Sequence, residues 1–299
     1  MKRELTDQEL LAEVQRRFDK NKQMLEEERK LIQQLNEVNQ RLLDSERVKT
    51  NFLSNIRNEI NNPLASILEL SKNIMRGQVE GETLTACATM INAEAFELDF
   101  QLRNIFVSAE IEAGEAPLSV ISLDINSIVQ SVLDAYKNKL SRRSITLKQT
   151  NSIAEGTIFK SDSEKLHLII SNVVSNAIQF NHDGGEVEVI TKMEEGLFIL
   201  SVRDTGIGID PSHQEEIYNR FYQVESGSTK RYMGHGLGLT VTKALLEMIN
   251  GTISVHSVPG EGSVFTIVVN ELESVDQTED IFSADGNDFL FDQDDDMLF

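Results

Sequence analysis

Asn172-Val-Val-Ser-Asn176-Ala-Ile-Gln179-Phe-Asn181 closes a stretch, Ser163–Gln179, that reads as a helix. Asn172 and Asn176 are one helical turn apart, so both carboxamides project from the same face. A carboxamide oxygen is a neutral hard ligand, suited to a magnesium ion whose remaining positions are taken by phosphate and water. Two asparagines on a helix carry little weight alone, and their meaning depends on what lies downstream. There, a strand pattern over Leu197–Asp204 runs into Asp204-Thr-Gly206-Ile-Gly208-Ile-Asp210. A carboxylate at 204 can accept a hydrogen bond from the amino group of adenine, whereas guanine presents an acceptor at that edge and is repelled. Gly206 and Gly208 would let the backbone approach the base closely.

A third cluster, Gly234-His-Gly236-Leu-Gly238-Leu-Thr240, opens another helix. Backbone N–H groups at a helix N-terminus can hold phosphates, although such a glycine run could equally be an ordinary loop. Between the second and third clusters lies Pro211–Met233, with Phe221-Tyr222, Lys230 and Arg231, long enough to close over a nucleotide as a lid.

Outward from these clusters, Ser144–Lys148, Thr157–Lys160, Glu186–Lys192, Leu197–Asp204, Thr252–Ser257 and Ser263–Asn270 read as strands. They are interleaved with helices near Ile125–Leu140, Ser163–Gln179 and Gly238–Ile249, and no Walker-type phosphate loop is present. The expectation is an α+β fold in which residues 114–272 form an α/β sandwich. On the N-terminal side, Leu5 to about Val48 lacks Gly and Pro, and Leu11, Val14, Phe18, Leu25, Ile32, Leu35 and Leu42 recur at spacings of three, four and seven. That predicts a coiled coil over residues 1–48, with Asn21, Glu28 and Asn39 on its seam. A lone solvated helix is the alternative, but an isolated amphipathic helix is marginal in water. The helical pattern continues to about Met75, crossing Pro63, where a kink is expected. After a turn at Gly77 and Gly81 a second helix runs from about Glu82 to Ile111. Residues 49–113 thus form a helical hairpin, and two copies would make a four-helix bundle.

Composition narrows the function classes. A length of 299 residues suggests about two folded units. The net charge of −21 disfavours nucleic acid and anionic lipid as partners. Residues 271–299 hold eleven Asp/Glu and no Lys/Arg, which leaves −10 for the first 270 residues. The tail, residues 273–299, is expected to be disordered, and its Phe282, Phe289 and Phe291 leave open either a partner-binding motif or a plain solubilising role. A single cysteine, Cys87, excludes an internal disulfide and a thiolate metal cage. No apolar stretch reaches the ~20 residues of a spanning helix, and the N-terminus does not resemble a signal peptide. A cytoplasmic protein with no membrane insertion is expected.

In order and spacing the clusters resemble the nucleotide-binding boxes of sensor histidine kinases, and from about Lys49 to Asn270 the chain is similar to their dimerisation and phosphotransfer hairpin followed by the ATP-binding domain. The resemblance implies ATP with Mg²⁺ as cofactors: Asn176 as metal ligand, Asn172 beside the phosphates, and Asp204 on adenine. It also implies Gly234, Gly236 and Gly238 around the triphosphate, beneath a lid carrying Phe221, Lys230 and Arg231. Partners implied are a second chain, identical or not, and the receiver domain of a response regulator or another histidine kinase.

One cluster departs from that pattern. Phe52-Leu-Ser-Asn-Ile-Arg-Asn58-Glu59-Ile-Asn-Asn62-Pro63 resembles the phosphoacceptor box, in which a histidine precedes the acid, yet Asn58 stands at that position. The nitrogen lone pair of a carboxamide is delocalised into its carbonyl and cannot attack a γ-phosphorus as an imidazole nitrogen does. The five histidines, His167, His182, His213, His235 and His256, all lie beyond the hairpin, and structural roles are expected for His167 and His235. Glu59, the base in relatives, has no imidazole to act on, and Gln179 stands where many relatives carry Lys. Asn62, one turn after Asn58, matches the position from which relatives hold a water during response-regulator dephosphorylation. Alternatively it merely precedes the proline. Three functions follow as expectations: a nucleotide-binding regulator or phosphatase without self-phosphorylation, a kinase acting on a histidine of a heterodimer partner, or a non-enzymatic coiled-coil scaffold.

Overall fold

The computed structural model describes residues 7–220, 222 and 236–272. Helix α1 (Asp7–Met75) runs unbroken from the predicted coiled coil into the hairpin and continues through the buried Pro63. No interruption therefore marks a boundary near residue 48. Gly77 and Gly81 both take positive φ in the turn to α2 (Gly81–Ala113). That helix stops at Gly114, which has φ 71° and returns its N–H to Ile111 O. Phe18, Leu25, Ile32 and Leu35 of α1 and Phe106 of α2 are exposed in the single chain. Among the described residues no helix is long and apolar enough to cross a membrane.

The C-terminal half is an α/β sandwich. Its elements are β1 (Ile121–Asp124), α3 (Ile125–Arg142), β2 (Thr146–Asn151), β3 (Ile158–Ser161), α4 (Ser163–Gln179), β4 (Glu186–Glu194), β5 (Leu197–Asp204), α5 (Gly238–Met248), β6 (Gly251–Val258) and β7 (Gly262–Asn270). A five-stranded sheet has the order β2-β4-β5-β7-β6, in which only β2 and β4 are parallel, and β1 pairs with β3 in a separate two-stranded sheet. Alternation along the strands sends Val187, Val189, Phe198, Leu200, Val202, Phe265, Ile267 and Val269 into one buried face. Helix α4, with α3 and α5 beside it, covers that face, which is why almost every side chain from Leu166 to Ile178 is buried.

Two local expectations need correction. Strand β2 begins at Thr146 and not at Ser144, because Ser144 has φ 52° and turns the chain out of α3. Strand β1 was not expected. It is four residues long, with two exposed positions in place of clean alternation, and exists by pairing with β3. The hairpin joins the sandwich through α2, whose Phe100, Ile105, Val107 and Ile111 pack against the main core. The ion pairs Glu97–Lys139 (2.8 Å) and Glu112–Arg220 (2.6 Å) flank this contact.

Candidate nucleotide site

Helix α4 is placed by its two ends. At the start, Asp162 accepts N–H hydrogen bonds from Lys165 (3.0 Å) and Ser119 (2.9 Å). Burial works to raise its carboxyl, but these bonds and the Lys165 ammonium hold it below the ordinary value. At the far end, Arg143 donates to the carbonyls of Ile178 (2.5 Å), Gln179 (3.1 Å) and Asn181 (2.7 Å), and pairs with Asp183. Nothing in the sequence pattern pointed to Arg143, which is remote from α4 along the chain.

The predicted amides lie between those ends. Asn172 is 2% exposed, and its Nδ2 has no partner among the described residues. Its Oδ1 looks onto the first turn of α5, where a Cβ at Gly238 would sit 3.3 Å away. The first and third sequence clusters are thereby brought into contact. Asn176, one turn on, is half-buried, as is Gln179.

The second cluster meets the same helix from the sheet side. Asp204 ends β5 and is 5% exposed, and its Oδ1 accepts from Gly206 N–H at 2.8 Å. Burial raises its carboxyl to about 6, opposed by hydrogen bonds from the Gly206 and Ser263 backbones and by the charge of His182. The loop is fastened below by Thr205, whose Oγ1 accepts from Glu186 N–H (2.9 Å) and donates to Asn181 Oδ1 (3.2 Å). Asn181 Nδ2 in turn donates to Glu186 O at 2.8 Å.

The glycines of this loop serve a purpose the sequence reading did not assign. A Cβ at Gly206 would lie 2.2 Å from Phe180 O, and at Gly208, with φ +68°, 2.1 Å from Val258 O. Both glycines are thus required by the chain's own carbonyls. Gly262, unremarked in the sequence, has the same role: a Cβ there would sit 2.0 Å from Asp204 O.

Gly236 takes φ +67°, just before α5 begins at Gly238. Phe221, Lys230, Arg231, Gly234 and His235 lie outside the described residues, as does the tail beyond residue 272. Asn58, Glu59 and Asn62 sit on α1, with Asn58 and Asn62 exposed. His167 is on α4, its Nδ1 3.5 Å from Ser171 Oγ.

Residues 161–273 match the family model described as histidine kinase-, DNA gyrase B-, and HSP90-like ATPase. The chain is 30% identical over 237 residues to the circadian input-output histidine kinase CikA of Synechococcus elongatus, covering 77% of this chain and 31% of that protein. The chain belongs to the sensor histidine kinase family. It is also 30% identical over 231 residues to the autoinducer 2 sensor kinase/phosphatase LuxQ of Vibrio vulnificus, covering 75% of this chain and 27% of that one. The chain therefore spans a third or less of the length of these two relatives. In fold it is similar to full-length ShkA in complex with AMPPNP, with a TM-score of 0.53 at 21% identity over 77% of this chain and 46% of that one.

The sandwich of this histidine-kinase-family chain is of the ATP-binding type. Its residues fit such a ligand. The orphaned Asn172 amide is a donor lacking an acceptor, which a phosphate oxygen would supply, and Asp204 is an acceptor suited to an exocyclic amine. Among the described residues no group of three or more His, Cys, Asp and Glu side chains could hold a metal. A divalent cation here would depend on the ligand's phosphates and an amide oxygen such as that of Asn176.

Proposed function

We propose that this chain is a cytoplasmic two-component signalling protein that binds ATP with Mg²⁺ but cannot phosphorylate itself, and that it acts as a regulator or phosphatase of a response regulator. One observation carries the reading: an exposed Asn58 precedes Glu59 on α1, in a chain that retains Asn172, Asn176 and Asp204. ATP supplies a γ-phosphoryl group, and a carboxamide at 58 has no free lone pair on nitrogen to receive it. Asn62 lies one turn further along and is also exposed, and it offers a donor and an acceptor to a water attacking an aspartyl phosphate. That LuxQ is named a kinase/phosphatase supports a dephosphorylating role.

The test is incubation of the purified full chain with γ-labelled ATP and Mg²⁺. No acid-labile label is expected on the wild type, while Asn58→His is expected to gain it. A phosphohistidine formed by the wild-type chain alone would overturn the proposal. In the companion assay, Asn62→Ala should slow dephosphorylation of a phosphorylated receiver domain by roughly tenfold or more.

The exposed apolar stripes of α1 and α2 favour one further reading, because they call for a second chain to cover them. If that chain carries the missing histidine, this one would phosphorylate it in trans, and label would enter the partner only when both chains are mixed.

A further inference from the structure

Tyr136 of α3 is 1% exposed and lies outside the sequence clusters assigned to the nucleotide. From α2, Phe96 and Phe100 meet its ring edge-on at centroid distances of 5.5 and 6.3 Å. Between those two residues, Glu97 pairs with Lys139 at 2.8 Å, and the Lys139 ammonium stands 5.9 Å from the centre of the Tyr136 ring. On its far side the Tyr136 hydroxyl donates to Ser171 O at 3.3 Å and reaches the side chain of Ser175. Ser171 and Ser175 immediately precede Asn172 and Asn176. One buried side chain thus spans the distance from the hairpin to the helix that carries both site amides.

The consequence follows from helix geometry. Side-chain tips lie about 5–6 Å from a helix axis, so a rotation of about 10° displaces them by about 1 Å. A bond to the Ser171 carbonyl opposes rotation of α4, and any such rotation moves Asn172 and Asn176 together. We propose that Tyr136 is a positioning residue that couples α2 to the nucleotide helix, so that displacement of the hairpin changes nucleotide affinity. Nucleotide must then bias the hairpin by the same factor. The inference rests on the nucleotide-binding reading above and adds a route by which signals from α1 and α2 reach the site.

The test uses the full chain, with binding of Mg²⁺·AMPPNP measured by calorimetry and melting temperature measured without ligand. Tyr136→Phe keeps the ring and removes the hydroxyl, and a loss of affinity of roughly three- to tenfold is expected, the worth of one buried hydrogen bond. Phe100→Leu should weaken binding in the wild-type background but have little further effect on Tyr136→Phe, because the route through the hydroxyl is already cut. A tyrosine that only fills space would lower the melting temperature and leave the affinity of the folded protein alone. Affinity of Tyr136→Phe within about twofold of wild type, or an equal Phe100→Leu effect in both backgrounds, would overturn the coupling. If Tyr136→Phe does not fold, Glu97→Gln at the domain rim carries the test: a change of affinity of at least about twofold supports the coupling, and no change refutes it. Failure of the wild-type chain to bind AMPPNP would instead overturn the nucleotide reading together with this one.

Discussion

Replacing Asp204 by asparagine should make the unliganded protein more stable at neutral pH while removing its response to nucleotide. The folded protein holds this carboxyl at about 6 against an ordinary 3.8, because the group is 5% exposed. At ~1.4 kcal/mol per pH unit, the ionised form costs the fold on the order of 3 kcal/mol. Since the folded-state value is raised, the relative stabilisation is full below about 3.8, declines as pH rises towards about 6, and is gone above it. Wild type should therefore gain stability as pH falls from 7.5 to 5. The Asp204→Asn side chain would carry no charge and would keep an oxygen for the Gly206 N–H, but its amide would fit the Ser263 N–H poorly, offsetting ~1 kcal/mol or more. The net gain at pH 7.5 is then about 1–2 kcal/mol, which for a domain of this size raises Tm by roughly 2–8 °C. Thermal unfolding followed by circular dichroism at pH 5, 6.5 and 7.5, with and without Mg²⁺·ATP, separates the effects. The variant should melt higher at pH 7.5, lose that advantage by pH 5, and show no nucleotide-induced shift. A variant less stable than wild type by the same margin at every pH would refute a buried, ionised carboxylate.

The other predictions concern the frame around the site. Gly208→Ala places a Cβ 2.1 Å from Val258 O at φ +68°, and should cost at least about 2–3 kcal/mol in a denaturant titration. Gly77→Ala, at a similar φ but in open space, should cost only about 1 kcal/mol. Arg143→Met keeps most of the aliphatic stem but releases three carbonyls at the end of α4. Loss of ~1–3 kcal/mol is expected, with faster amide hydrogen exchange confined to residues near 176–181.

Much of this molecule was legible in its sequence where structure is set locally. Helix α4 and strand β5 fall at their expected bounds because each carries its own signal: the Asp162 cap and apolar run for the helix, and a short apolar run closed by Asp204-Thr-Gly206 for the strand. Strand β2 slipped because nothing in the identity of Ser144 announces a left-handed turn. Strand β1 was missed because its partner, β3, lies across the whole of α3 and β2. The same division runs through the site. Asn172, Asn176 and Asp204 stand out because their chemistry and local spacing coincide. Arg143 and Tyr136 do not, since each acts on α4 residues at least 35 positions away. The glycines of the Asp204 loop show a related limit: Gly206 and Gly208 were read for what they admit from outside, and their tight fit against the carbonyls of Phe180 and Val258 comes from residues distant in the chain.

Physical cost also bears on whether the site is used. Ionised Asp204 weakens the unliganded fold by about 3 kcal/mol on the pH argument above, and the orphaned Asn172 amide adds about 1–3 kcal/mol. Those are large sums for a domain whose whole stability is about 5–15 kcal/mol. A domain serving only as a scaffold would become more stable with a neutral residue at 204 and an apolar one at 172. Both penalties are relieved together by a ligand that offers a hydrogen-bond donor to the carboxylate and an anionic acceptor to the amide. An adenine amino group and a phosphate oxygen are such a pair on one molecule. Burial of this carboxylate and this amide thus accords with the ATP-binding type of the sandwich, independently of whether residue 58 can accept a phosphoryl group.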